Sequence, residues 1–186
     1  MDFFDALNDD HRAMISRQAV FFVATAAAKG RINLSPKGYD SFRVLGPKRV
    51  AWFDMGGSGN ETHAHLTADG RVTVMMTNFE QPALILRIYG RARPVLPQDA
   101  DWDALAAHFE LLRGTRQIFD MTVDSVQTSC GWGVPLMTVT RERETLAKYH
   151  AQADEAKWMD KVGGRTRSID GLPTRPTERF IDGPRT

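Results

Sequence analysis

The sequence predicts a mainly β domain: an antiparallel barrel with helices packed on its outside. Three observations predict it. Apolar residues recur at period two in several short runs, and close turns containing Gly or Pro join those runs. The regular strand–helix alternation of a doubly wound parallel sheet is missing. At 186 residues the chain is one barrel domain over residues 1–140, with a C-terminal helix and extended arm over 141–186.

The first element is a short helix over about Asp9 to Gln18, opened by Asn8-Asp9-Asp10, which sets acidic groups at the positive end of its dipole. The stretch Phe21 to Gly38, FFVATAAAKGRINLSPKG, is read as a hairpin. Phe21, Val23 and Thr25 share one face of its first strand, and Phe22, Ala24 and Ala26 share the other, a pattern expected of a strand buried on both sides. Lys29-Gly30 marks the turn, and the returning run puts Asn33 and Ser35 on one face, followed by the cation Lys37.

A second hairpin, Ser41–Leu45 and Val50–Asp54, surrounds the turn Gly46-Pro47-Lys48-Arg49. Met55 to Asn60 is a Gly-rich loop, and Ser58-Gly59-Asn60-Glu61 has the form of a capping box before a helix over about Glu61 to Ala68. Arg71 to Phe79 is a strand with Val72, Val74 and Met76 on one face. Leu84 to Val95 is a long strand with a bulge or bend at Gly90. A helix is expected over Asp99 to Leu112. A strand follows over Ile118 to Thr128, with Phe119, Met121 and Val123 on one face and Val126 on the other. A charged helix over about Arg141 to Val162 comes next, and the tail from Gly163 has little to bury and reads as an arm or a disordered end.

Composition narrows the function classes. A formal net charge of +1 lacks the concentrated basic face of a general nucleic-acid binder. The longest apolar run, Ala19 to Ala28, is too short to span a bilayer, and the acidic start does not resemble a secretory signal. The single Cys130 excludes an internal disulfide. The expected address is the cytoplasm.

The strongest local candidate for chemistry is the helix start Ser58 to Thr62. Free backbone N–H groups and the dipole favour an anion there, with Asn60 and Thr62 as added donors and Lys37 approaching from the hairpin. Glu61 opposes this with a negative charge, and a plain turn is the alternative. Arg87, Arg91 and Arg93 alternate along one strand face, either as a solvated edge or to meet a phosphate or acidic partner. Of the five histidines only His63 adjoins the candidate loop, and the rest are expected at the surface; none has the spacing of a helical metal pair. Gln127 and Ser129 lead into Cys130-Gly131-Trp132-Gly133. An aromatic flanked by amide and hydroxyl donors suits a planar ligand, and a Trp plugging the barrel end is the alternative.

Taken together, VATAAAKGRINLSPKG, VAWFDMGGSGNETHAHL, LILRIYGRARPV and VDSVQTSCGWGVP resemble, over about Phe21 to Pro135, the pyridoxamine 5'-phosphate oxidase-related family of FMN-binding split-barrel proteins. The last motif and Ser168-Ile169-Asp170-Gly171-Leu172-Pro173 are similar to one uncharacterised branch. The resemblance implies a six-stranded antiparallel split barrel that forms a homodimer with FMN at the subunit interface. By position it implies that Asn33, Leu34, Ser35 and Lys37 line the flavin. It places Phe53, Asp54 and Met55 along the isoalloxazine ring, and Asn60, Glu61 and Thr62, beside Ser58, at the phosphate. Arg87, Gln127, Ser129 and Trp132, from the residue readings above, complete the expected cofactor-binding set.

Where the oxidases carry a Ser-Arg-Lys type of sequence, this chain has Asn60-Glu61-Thr62. The Arg-and-His element that holds the substrate phosphate in the oxidases has no counterpart among Arg165 to Arg185. The resemblance therefore implies a flavin chemistry other than pyridoxine phosphate oxidation. The leading expectation is an FMN-dependent oxidoreductase of a small molecule. The alternatives are a non-catalytic flavin or other cofactor carrier, and a ligand-free structural dimer.

Overall fold

The protein is described by a computed structural model covering residues 1–184. The eight strands are β1 (Asp2–Phe4), β2 (Phe21–Thr25), β3 (Asn33–Lys37), β4 (Phe42–Gly46), β5 (Arg49–Met55), β6 (Arg71–Thr77), β7 (Leu84–Val95) and β8 (Thr115–Cys130). The helices are α1 (Asp9–Ile15), α2 (Glu61–Ala68), α3 (Trp102–Ala106), α4 (Thr145–Ala151) and α5 (Glu155–Trp158), the last continuing into a π-turn over Met159–Gly163. All ladders are antiparallel, in the order β3-β2-β6-β7-β8-β5-β4. The class is the mainly β one expected. The count is eight rather than six: residue periodicity gives seven strands, and the N-terminal Asp2–Phe4 adds the eighth by pairing with Val126–Thr128.

The sheet curls because β7 and β8 are long enough to bend and each carries partners along its length. Gly90 faces the bend. A Cβ there would run into the Thr122 carbonyl, so only glycine admits the close approach of β8. The bulge itself falls in β8, where Tyr89 pairs with Ser125 and Gly90 with Val123, which leaves Asp124 over. The extra residue flips the side-chain parity. Val126, expected opposite Val123, therefore joins it in the same core.

That core holds Val23, Val50, Trp52, Val74, Met76, Leu86, Ile88, Phe119 and Met121, all buried. The ladder path ends at β3 and β4, and aromatic rings cross the remaining seam. Phe21 meets Phe42 edge-on at 5.0 Å, and Phe42 stacks on Trp52 at 6.4 Å. On the outer face, Ala51, Phe53, Ile118, Val95 and Trp102 form a second apolar cluster with α3. The first strand is buried on one side only: Phe21, Val23 and Thr25 point inward, and Phe22 and Ala24 are half-covered.

Three helical expectations change. α3 is shorter than Asp99–Leu112, and Phe109 and Leu112 reach the outer cluster from turns. The expected helix over Arg141–Val162 breaks at Asp154. That residue is extended and caps a new helix by accepting from the Lys157 amide at 2.9 Å. The tail is ordered through its described part, with Ser168, Thr174, Thr177 and Phe180 buried against the rest of the chain. Its polar groups are satisfied by hydrogen bonds to α2 and neighbouring loops, a contribution that apolar patterning does not register.

Candidate functional site

The polar end of the barrel holds a pocket of about 350 Å³ between β3, the end of β5 and the first turn of α2. Period two on β3 sends Asn33, Ser35 and Lys37 into it, and Leu34 out to solvent. Asp54 faces the pocket, while its neighbour Phe53 points to the outer cluster and packs edge-on against Phe109 at 5.7 Å. Met55, Ser58, Asn60, Glu61 and Thr62 complete the wall. Nine of the residues singled out in the sequence thus converge on one cavity: Asn33, Ser35, Lys37, Asp54, Met55, Ser58, Asn60, Glu61 and Thr62.

The residue at its centre is Arg116, which sequence reading passed over. A second bulge in β8 explains its position. Asp54 pairs with Gln117 and Met55 with Thr115, so Arg116 is the residue left over and its side chain is turned into the pocket. The sequence signal was the cation in Thr115-Arg116-Gln117, at the start of a strand that periodicity begins only at Ile118. Arg116 is 4% exposed.

Asp54 organises the charges. Its Oδ1 accepts from Lys37 Nζ at 2.6 Å, and its Oδ2 accepts from Arg116 Nη2 at 2.8 Å and Gln117 Nε2 at 3.0 Å. Burial opposes ionisation of Asp54, but the two cations outweigh it and hold the carboxyl well below the usual carboxylate range. Arg116 Nε and Nη1 remain buried without any partner. Buried guanidinium N–H groups are rarely left unmatched, because each forfeits its hydration. An anion in the pocket would supply what they lack.

The capping box expected at Ser58–Glu61 does not form. The cap of α2 is Asn60, whose side chain makes no capping bond and instead accepts from Gln117 Nε2 at 2.9 Å. Thr62 accepts from Asn33 Nδ2 at 3.1 Å, which ties α2 to β3.

Three histidines expected at the surface, His11, His65 and His150, are buried. His63 is buried too: it takes the amide of Arg175 on Nε2 at 3.0 Å and so donates from Nδ1 to Gln117 Oε1, 2.7 Å away. Burial keeps His63 neutral, below its ordinary value; the Gln117 bond opposes this, and the Arg116 charge adds to it. His150 accepts from Trp158 Nε1 and donates to the Gly56 carbonyl, bracing the pocket loop from behind.

The remaining sequence candidates lie elsewhere on the protomer. Arg87 donates to Ser129 Oγ at 3.0 Å, and Gln127 accepts from Tyr89 at 2.7 Å, forming a second patch across β7 and β8. Trp132 is 86% exposed and plugs nothing. Arg91 and Arg93 are spent on the Asp69 carbonyl and on Asp101 and Asp120. Among the described residues, no helix is long and apolar enough to cross a membrane.

Fold and pocket together define an antiparallel barrel whose end cavity sets Lys37 and Arg116 beside Asp54 and Glu61. Comparison with known proteins gives that class its family. The family model described as pyridoxamine 5'-phosphate oxidase matches residues 7–130, more than half of the chain. The chain is 35% identical over 191 aligned positions to the pyridoxamine 5'-phosphate oxidase family protein ustO of Aspergillus flavus, covering 92% of this chain and 76% of that one. The protein belongs to the pyridoxamine 5'-phosphate oxidase family.

Solved structures share the fold. A HupZ variant from Group A Streptococcus superposes with a TM-score of 0.54 at 19% identity, over 66% of this chain and 98% of that one. A protein from Lactobacillus delbrueckii, provisionally described as a pyridoxamine 5'-phosphate oxidase, gives 0.54 at 15% identity, over 67% and 95%.

Proposed function

We propose that the protein binds FMN in this pocket and acts as a flavin-dependent oxidoreductase on a small molecule. The observation that carries this reading is Arg116, buried with two unpartnered N–H groups beside Lys37 and the uncapped start of α2. The arrangement fits the phosphate end of such a cofactor. Arg116, Lys37, Ser58 and Thr62 would hold the phosphate, while Asn33 and Ser35 would line its approach and Met55 would give an apolar wall. Bound there, the flavin supplies the redox chemistry.

The chain's own part is to bind, orient and exclude water. Asp54 has both oxygens engaged, so its role is to keep Lys37 and Arg116 charged and in place rather than to move a proton. We place the second patch, Arg87, Gln127, Ser129 and the exposed Trp132, against the pocket of a second protomer in a cytoplasmic homodimer. The exposed Ile32, Leu34, Trp132, Leu136 and Met137 would gain cover in such a pair. The full engagement of Asp54 equally favours a second reading, a flavin carrier without turnover.

The absorption spectrum of the purified protein, with mass spectrometry of whatever it releases, tests the assignment. Flavin bands and the mass of FMN are expected. Reduction by NADH or NADPH without oxygen, then reoxidation in air, is expected of the enzyme. A loaded protein that neither donor reduces favours the carrier. A colourless protein that takes up no added FMN overturns both.

A further inference from the structure

We propose that Glu61 selects the ligand of this pocket by accepting a hydrogen bond from a hydroxyl next to the ligand's phosphate, so that the site takes a polyol phosphate in preference to bare phosphate. The inference rests on the phosphate reading above and adds the group that must accompany the phosphate.

The two oxygens of Glu61 meet different fates. Oε1 accepts from the amide of Ile169, in the C-terminal tail, at 2.9 Å. Oε2 is buried and has no partner. Neither pocket cation bonds it: the carboxylate that Lys37 Nζ and Arg116 Nη2 meet is that of Asp54. Glu61 and Arg116 line the same cavity. Unmatched donors on Arg116 and an unmatched acceptor on Glu61 thus belong to residues of one cavity wall. Phosphate alone answers the first and is repelled by the second. A molecule carrying a hydroxyl a bond or two from its phosphate answers both, because the hydroxyl donates to Oε2 while the phosphate accepts from Arg116.

The tail aims this carboxylate. The Ile169 side chain is exposed, so its backbone makes the contact. Asp170 beside it accepts from the Arg31 amide at 2.6 Å and also pairs with the Arg31 guanidinium. Arg165 bonds the Ser58 carbonyl. These contacts come from residues beyond the 7–130 matched by the family model, so the support of this pocket wall, though not the wall itself, lies outside that match.

Ribitol 5-phosphate and orthophosphate, titrated at neutral pH into the full-length protein freed of any bound flavin and followed by NMR, provide the test. The wild type is expected to bind ribitol 5-phosphate about tenfold more tightly than orthophosphate, the usual worth of one hydrogen bond to a charged group. Glu61→Gln keeps the size and removes the charge. It is expected to tighten orthophosphate and shrink the preference to about twofold. Ile169→Pro removes only the aiming amide and is expected to shrink the preference less. A wild type without preference, or a Glu61→Gln preference equal to the wild-type one, overturns the proposal. If the preference behaves as expected but FMN does not bind, the flavin reading falls and this one stands. If neither probe binds the wild type, both fall.

Discussion

The barrel core and the polar pocket are built from the same strands, β5 and β8, yet they obey opposite rules. Two residues apart on β5, Trp52 stacks into a dry apolar cluster with Phe119, whereas Asp54 sits among Lys37, Arg116 and Gln117. The core too leaves a buried donor unmatched, the uncharged Trp52 Nε1. The pocket keeps Arg116 Nε, Arg116 Nη1 and Glu61 Oε2 buried and unpartnered. A fold gains no stability from such groups. What sets the pocket apart is that its unmatched atoms belong to side chains of opposite charge, Arg116 and Glu61, and the ligand proposed above would answer them.

The contrast is sharpened most by truncating the core. Trp52→Ala removes a fully buried ring from between Phe42 and Phe119, and is expected to cost about 4 kcal/mol in chemical denaturation. The surviving folded fraction should bind ligand unchanged. Asp54→Asn attacks the pocket instead. It strands Lys37 and Arg116 without their counter-charge, at an expected cost of about 3 kcal/mol, and it should tighten binding of orthophosphate. If Asp54→Asn weakened phosphate binding, the carboxylate would be part of the ligand site itself and not the support of its cations.

Acid sharpens the same division more gently. His63 and His150 are held neutral by burial, below the ordinary value of 6.5. Their unfolded forms take up protons first, so their contribution is complete above pH 6.5 and is lost as the pH falls through that value. Asp54 is depressed below 3.8, so its contribution is present above that value and is lost only in stronger acid. Thermal unfolding should therefore show two steps of acid loss, and His150→Gln should flatten the upper one. An upper step undiminished when His11, which burial lowers in the same way, His63 and His150 are all replaced by Gln would contradict this assignment.

Much of this was legible in the sequence. The limits of β7 and α2 follow from period and turn chemistry, and parity alone put Asn33, Ser35 and Lys37 on one face. The failures share a cause. Parity counting assumes an unbroken ladder, and the bulges at Arg116 and Asp124 each insert one residue into β8. The first turned Arg116 into the pocket; the second returned Val126 to the core. Period also says nothing of residues buried by hydrogen bonds, which is why it misses the buried Ser168 and Thr174 of the tail and the buried His65 and His150.

The account rests on Arg116 as the anchor of an anionic cofactor, and a titration of FMN into wild-type protein and Arg116→Leu, read by flavin fluorescence, tests that directly. A leucine, shorter and uncharged, leaves Asp54 bonded to Lys37 and Gln117, so the fold should survive. The expected result is FMN binding by the wild type and a loss of at least about tenfold in the variant, the worth of one charged hydrogen bond. Equal affinity in the two proteins would contradict the account.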